Sequence, residues 1–403
     1  MFSEIFLAIL CGIGAGIVTG LIPGIHVNLV SLIVLSSASF FLAFTSPFVL
    51  VIFIIALAVT HTFLDFIPSA LLGVPDADTA LSVLPAHRLV MEGRAYECIK
   101  LTVIGSLLSV LTSIAFIPIM ILLMPLIYEY ISKYIGHVLV IVVAFMIIKE
   151  RTKHRIFWAA FIFFVSGTLG YVVLNFPGIK DPLFPLLSGL FGMSMLINSL
   201  FENSVIPKQR VTEDLDVSKK VTVKSLAAGT IAGSATGLLP GLGAAQASII
   251  ASTIVGDIGV LGYLMLQGAI NTVNFLLSLV TLYTIEKARN GAIVAVLEII
   301  GRIELSQLCA IVAATLIVAG IATYLALNCA RVFSNLISTV NYKLLCITII
   351  LCTFVLVFIF SGFLGLFVLL ISTSVGLIPI HLGIGKNHGM GCLMLPVIIY
   401  FLV

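Results

Sequence analysis

Residues 12–25 read Gly12-Ile13-Gly14-Ala15-Gly16-Ile17-Val18-Thr19-Gly20-Leu21-Ile22-Pro23-Gly24-Ile25. Residues 229–242 read Gly229-Thr230-Ile231-Ala232-Gly233-Ser234-Ala235-Thr236-Gly237-Leu238-Leu239-Pro240-Gly241-Leu242. Aligned at an offset of 217 (240 against 23), the stretches share Gly12, Ala15, Gly16, Thr19, Gly20, Leu21 and the Pro-Gly pair, and Ser31 falls on Ser248. Glycine-rich composition alone does not give that many identities in one register, so the chain reads as a duplicated unit. Weaker echoes follow: His61-Thr62 with Asn271-Thr272, Gly93-Arg94 with Gly301-Arg302, and Ser166 to Gly170 with Ser372 to Gly376. The halves are 1–201 and 225–403, joined by a polar linker at 202–224.

Composition sets the medium. Only 9% of the 403 residues are charged and 61% are hydrophobic, with a mean hydropathy of +1.27. Soluble domains carry about 25% charged residues, so water cannot be the main solvent of this surface. No Asp, Glu, Lys or Arg occurs from Ile5 to Leu64 or from Leu344 to Gly385. Such runs exceed the roughly 20 apolar residues of a membrane-crossing helix and lack the alternation of barrel strands. The expected fold is all-α and polytopic, with membrane lipid as its partner. The N-terminal run follows Glu4 and ends in a Gly/Pro turn, unlike a signal peptide. Seven cysteines without CxxC spacing read as apolar packing residues, and the net charge of +3 lies in loops rather than in a nucleic-acid-binding patch.

Each half opens with two short apolar segments meeting at Pro-Gly, at 4–20 and 26–43 and again at 223–238 and 243–256. Five longer segments follow in each, near 47–72, 99–125, 135–150, 156–174 and 184–201, then 257–283, 305–330, 342–360, 361–380 and 388–403. A hairpin returns to its side of entry and five spans are odd, so the repeats are expected to have inverted topology. With linker 202–224 inside, the cytoplasmic loops hold 15 of the 20 Lys and Arg. That asymmetry follows the positive-inside rule and places both termini on the extracytoplasmic side.

Broken helices at matching positions of two repeats point to a transporter's binding site. Non-helical backbone at membrane depth survives only inside protein or beside a water-filled cavity, and a helix N-terminus favours an anion. The expected substrate-binding set is Thr19, Gly20, Pro23, Gly24, His26, Asn28 and Ser31 in the first half. In the second half it is Thr236, Gly237, Pro240, Gly241, Gly243, Gln246 and Ser248. Gly12, Gly16, Gly229 and Gly233 read instead as close-packing positions. Asp65 lies late in an apolar segment, where a carboxylate is costly and usually functional. With Thr62, Asn271, Thr272 and Asn274 it forms the expected ion-coupling set, serving Na⁺ or H⁺; no other metal and no organic cofactor is expected. Asp76 and Asp78 read as a helix cap more readily than as ligands. His87-Arg88 and Glu92-Gly93-Arg94 read as an amphipathic loop segment with salt bridges, and His381, Lys386 and His388 as interfacial. No Walker loop, HExxH or GxSxG occurs, so an enzyme is disfavoured.

These motifs resemble the large membrane subunit of tripartite tricarboxylate transporters, especially its shorter archaeal homologues. The resemblance rests on Gly20-Leu21-Ile22-Pro23-Gly24-Ile25-His26 with Asn28, Gly237-Leu238-Leu239-Pro240-Gly241-Leu242-Gly243, and Gly73-Val74-Pro75-Asp76-Ala77-Asp78-Thr79-Ala80. Gly189-Leu190-Phe191-Gly192-Met193 and Gly376-Leu377-Ile378-Pro379 extend it. It implies cation-coupled uptake of a carboxylate through the Pro-Gly tips, with a small membrane subunit and an extracytoplasmic binding protein as partners. The chain departs from the family pattern at Gly73-Val74-Pro75-Asp76, where the family shows Pro-Gly-Glu-Pro, and at His26, where it shows Gly. The function expected is secondary active transport of a small di- or tricarboxylate-like anion by alternating access. A polyprenyl-phosphate translocase using the same tips is the alternative, and homo-oligomers fit either.

Overall fold

The computed structural model describes residues 2–22, 25–74, 78–150, 152–179, 181–201, 207–212, 214–239, 242–338 and 341–403. The described chain is helical and contains no strand. In the first half the helices are α1 (Phe2–Leu21), α2 (Val27–Ser36), α3 (Ala38–Phe41), α4 (Pro47–Leu64), α5 (Phe66–Leu72), α6 (Val83–Met91), α7 (Ala95–Ile131), α8 (Ile135–Ile148), α9 (Lys153–Asn175), α10 (Leu183–Leu187) and α11 (Ser194–Phe201). A π-helix over Ser188–Met193 joins α10 to α11. The second half contributes α12 (Lys219–Leu238), α13 (Ala244–Val255), α14 (Gly259–Ile285), α15 (Gly291–Ile300), α16 (Leu305–Ile337), α17 (Tyr342–Leu382) and α18 (Gly391–Leu402). Eight helical stretches among the described residues are long and apolar enough to cross a membrane. Outward-facing Leu122, Ile317 and Phe363 suit a hydrocarbon solvent. The protein is a multi-pass membrane protein.

Several boundaries follow from local chemistry. Thr152, Ser218 and Asn290 cap α9, α12 and α15, their side chains accepting from Arg155 N, Val221 N and Ile293 N at 3.3, 3.3 and 3.0 Å. Pro47 opens α4, where its missing N–H costs nothing. Gly362 breaks α17 with φ 68° and ψ −163°, a conformation open essentially to glycine alone. This break matches the expected division into 342–360 and 361–380. Helix α15 was not anticipated, and α12 begins inside the segment read as linker.

The chain forms two compact units that cut across the sequence halves. Unit 1 comprises residues 1–68, 96–129 and 211–333; unit 2 comprises 69–95, 130–210 and 334–403. In unit 1, α1 packs along α4 and α12 packs along α14. A Cβ on Gly12 would meet Ala56 Cβ at 2.6 Å, and one on Gly229 would meet Ala269 Cβ at 2.5 Å. Gly16 faces Thr60 and the Leu57 carbonyl as Gly233 faces Val273 and the Ile270 carbonyl. Gly20 faces Leu64 and His61 as Gly237 faces Leu277 and Asn274. These glycines remove the side chains that would hold the helices apart, as expected of small residues at membrane helix interfaces. The contacts also correct a register. Partners on α4 and α14 stand 213 residues apart (269 against 56), so His61 corresponds to Asn274 rather than to Asn271.

Unit 2 repeats a packing arrangement of its own. Helix α9 lies against α18, and α17 lies against α10, the π-helix and α11. Ser166 Oγ reaches the His388 carbonyl at 3.4 Å, and Ser372 Oγ the Pro185 carbonyl at 3.1 Å. Side chains on Gly170 and Gly376 would collide with the backbones of Cys392 and Leu190 respectively. Within the same unit the chain after residue 206 is pinned by Gln209. Its Oε1 accepts from Ala95 N and its Nε2 donates to the Val90 carbonyl, both at 2.9 Å. Arg210 N donates to the Gly93 carbonyl at 2.8 Å. Gly93 and Gly301, aligned in the sequence, both hold positive φ, 80° and 72°.

Candidate functional site

The expected site residues belong to unit 1, on α1, α2, α4 and α12–α14 and the connections between them. Pro23, Gly24, Pro240 and Gly241, the Pro-Gly tips, lie outside the described residues, as does Asp76. On α1, α4 and at the start of α2, polar side chains join in one chain. Thr19 is buried on α1; its Oγ1 lies 3.2 Å from the Gly16 carbonyl and 3.1 Å from His61 Nδ1. His26 is the N-cap of α2, where its Nδ1 accepts from Asn28 N at 3.1 Å. The His26 ring meets the His61 ring edge-on, with centroids 5.3 Å apart.

One turn beyond His61 stands Asp65. It is 3% exposed, and its Oδ2 lies 4.0 Å from His61 Nε2. Asn271 of α14 donates from Nδ2 to that same Oδ2 at 2.8 Å, and lies 3.5 Å from the Thr62 carbonyl. Asp65 is therefore enclosed by protein rather than reaching out to headgroup water, and its amide partner comes from the other half of the sequence. An amide can hold either protonation state of a carboxyl, donating from nitrogen or accepting at oxygen.

The remaining expected residues divide by what they touch. Thr62 Oγ1 and Thr236 Oγ1 each bond within their own helix, to the Val59 carbonyl at 2.9 Å and the Gly233 carbonyl at 2.7 Å. Asn28 Oδ1 accepts from Ala292 N at 3.1 Å and so docks α2 onto the start of α15. Gly20 and Gly237 pack against α4 and α14; the Gly237 carbonyl accepts from Thr281 Oγ1 at 2.8 Å. Asn274 is half-buried beside Gly237, and its carbonyl accepts from Ser278 Oγ at 2.7 Å. Ser248 Oγ donates to the Ala244 carbonyl at 2.6 Å and lies against Oε1 of Gln267. Gly243 precedes α13, and Gln246 folds back toward it.

Among the buried polar atoms that find no partner in the described residues, four belong to this region: Ser31 Oγ, Gln246 Oε1, Gln267 Nε2 and Thr272 Oγ1. Three of these residues were expected from sequence, and buried polar groups of this kind are costly unless something binds them. Gln267 was missed, although a lone glutamine within the apolar run of α14 was a readable signal. His61 was also left out of both expected sets, yet it connects them. No group of three or more potential metal ligands among His, Cys, Asp and Glu occurs among the described residues.

In unit 2, Arg88 Nε bonds Glu92 Oε1 at 3.2 Å and Arg94 lies 3.7 Å from Glu92 Oε2, the loop ion pairs the sequence suggested. The interfacial reading fails for Lys386 and His388. Both are buried in the turn between α17 and α18, whereas His381 is exposed. Local charge density placed them at a surface; the packing of α9 and the π-helix around that turn covers them.

Two comparisons with known proteins place the chain. Residues 6–391 match the model of the tripartite tricarboxylate transporter TctA family. An uncharacterised protein of Methanocaldococcus jannaschii is 31% identical over 406 residues, covering 98% of each chain. No solved structure matches. The helical membrane fold, the duplicated glycine motif and a match across nearly the whole sequence agree: this chain belongs to the TctA family of tripartite tricarboxylate transporters.

Proposed function

We propose that the protein is a secondary active transporter that moves a small di- or tricarboxylate-like anion, coupled to Na⁺ or H⁺, by alternating access. The observation that carries this reading is the buried Asp65, gripped by Asn271 across the two halves and linked through His61 to Thr19 and His26 beside the first tip. An ionisable group enclosed in a membrane helix bundle marks an ion pathway by default. The Pro-Gly tips supply helix N-termini to the anion, while Asn28, Ser31, Gln246 and Ser248 orient it. Thr62, Asp65, Asn271, Thr272 and Asn274 serve the coupling ion. The two halves have inverted topology, with both termini extracytoplasmic, and the family's tripartite organisation supports a small membrane subunit and an extracytoplasmic binding protein as partners. Uptake of radiolabelled di- and tricarboxylates into proteoliposomes tests the reading. Accumulation should follow an imposed Na⁺ or pH gradient; uptake indifferent to both gradients would refute coupled transport.

A further inference from the structure

Lys386 lies in the short 3₁₀ turn Lys386–Met390, outside the eight long helices, yet only 4% of it is exposed. Its Nζ donates to the Phe191 carbonyl at 3.2 Å and to Ser194 Oγ at 3.0 Å. Both acceptors are neutral. Phe191 belongs to the π-helix, whose wider turn shifts carbonyls off the α-helical ladder; such bulges cluster at functional sites. Ser194 Oγ donates onward to the Leu190 carbonyl at 2.8 Å, which leaves its lone pairs facing the ammonium. A carbonyl and a hydroxyl are the ligands a hard metal cation would take. Here a tethered ammonium occupies them.

The charged surroundings are sparse. The elements packed against this turn are α9, α17, α18 and the π-helix. Lys153, His154, Arg155 and Tyr171 of α9, His381 of α17 and Tyr400 of α18 are all exposed, and the π-helix has no ionisable residue. Cys392 of α18 is buried. The ionisable groups that remain inside are His388 and, from the end of α8, Glu150, joined at 3.0 Å (His388 Nε2 to Glu150 Oε1). Glu150 keeps 18% of its side chain exposed, so the buried His388 ring is paired with a group that reaches solvent. Burial pulls Lys386 down to about 7, and lowers His388 against the opposing pull of Glu150. Loss of one proton leaves an amine with two N–H groups for the same two acceptors. The site can therefore change charge without losing its geometry.

We propose that Lys386, with His388 and Glu150 as its route to solvent, is a proton-binding centre of unit 2, and that its proton is co-transported in addition to the cation served by the Asp65 set. The second clause rests on the transport reading above; the first does not. A lysine whose folded pKa lies below its unfolded value binds fewer protons when folded, so its burial penalty is greatest below about pH 7 and is relieved as pH rises. Thermal unfolding in detergent between pH 5.5 and 9 reads this directly. Lys386→Met should be more stable than wild type at pH 6, with the advantage shrinking by up to about tenfold in the folding equilibrium per pH unit above 7. Lys386→Arg, charged throughout, should match wild type at low pH and fall behind above pH 8. A constant offset of both variants across this range overturns the centre. In proteoliposomes, wild-type uptake should follow the pH gradient, and Lys386→Met should retain exchange but ignore it. Uptake driven by Na⁺ alone overturns the coupling role, while absence of any uptake counts against the transport reading and leaves the melting curves to decide the centre.

Discussion

The α1–α4 pair and the α12–α14 pair are built on the same glycine ladder and end in different chemistry. Gly12, Gly16 and Gly20 seat α1 on α4 through the same contacts by which Gly229, Gly233 and Gly237 seat α12 on α14. At the matched end of the ladder the first half places His61 and Asp65, while the second places Asn274 and Ser278. The two pairs share a packing that tolerates no added methyl, while His61 and Asp65 stand on one side alone. Asn271, on the neutral side, reaches across to hold Asp65. At that end of the ladder only the α4 copy carries ionisable side chains.

The largest effect should come from the shared feature. Gly16→Val and Gly233→Val each force side chains into contacts already at 2.5 and 2.8 Å for a bare Cβ. Both should lose about 3 kcal/mol or fail to accumulate as folded protein, since overpacking of this kind is poorly relieved. Thermal unfolding in detergent checks this, and tolerance at one site alone would break the equivalence of the pairs.

The unshared feature should separate the halves next. Asp65→Ala removes the acceptor of Asn271 and should cost about 2 kcal/mol, as expected when a buried donor is orphaned. It should also abolish gradient-driven uptake. Ser278→Ala at the matched position removes only a bond to the Asn274 carbonyl in the same helix and should leave uptake intact. A smaller contrast lies one element away. Thr19→Val loses the His61 partner and should cost about 1 kcal/mol more than Thr236→Val, whose hydroxyl bonds only within α12. Matching losses of thermal stability would show that the His61 link contributes little. The smallest effect is expected for Asn28→Ala, which should lower stability by only about 0.5 kcal/mol through its bond to Ala292 N, and should weaken anion binding measured by calorimetry. Unchanged affinity would remove Asn28 from the substrate set.

Much of this comparison was legible in the sequence. The glycine ladder repeats within a single offset, and the apolar runs that became α4 and α14 were expected as long helical segments. Register between elements was harder. The offset falls from 217 on α1 to 213 on α4, because the second half has four fewer residues where the first carries the four-residue helix α3. A text match of His61-Thr62 with Asn271-Thr272 therefore slipped by nearly one turn. Long-range enclosure left even less trace. Nothing local distinguishes Lys386 from an interfacial lysine; its burial depends on the π-helix almost 200 residues earlier, and an insertion of that kind has no periodicity of its own. Asp65 was recognisable as costly where it stands, but its partner Asn271 was visible only as another polar residue in an apolar run.

The break at Gly362 fixes a length. A continuous α-helix of 41 residues would extend about 60 Å, twice the hydrocarbon thickness of a bilayer. With the interruption there, residues 342–361 and 363–382 form two rods of about 30 Å, each matched to a membrane by itself. Any residue with a β-carbon would resist φ 68° and favour one overlong rod, forcing severe tilt or a thickened bilayer. A single hydrogen in place of a side chain thus decides whether α17 fits the lipid around it.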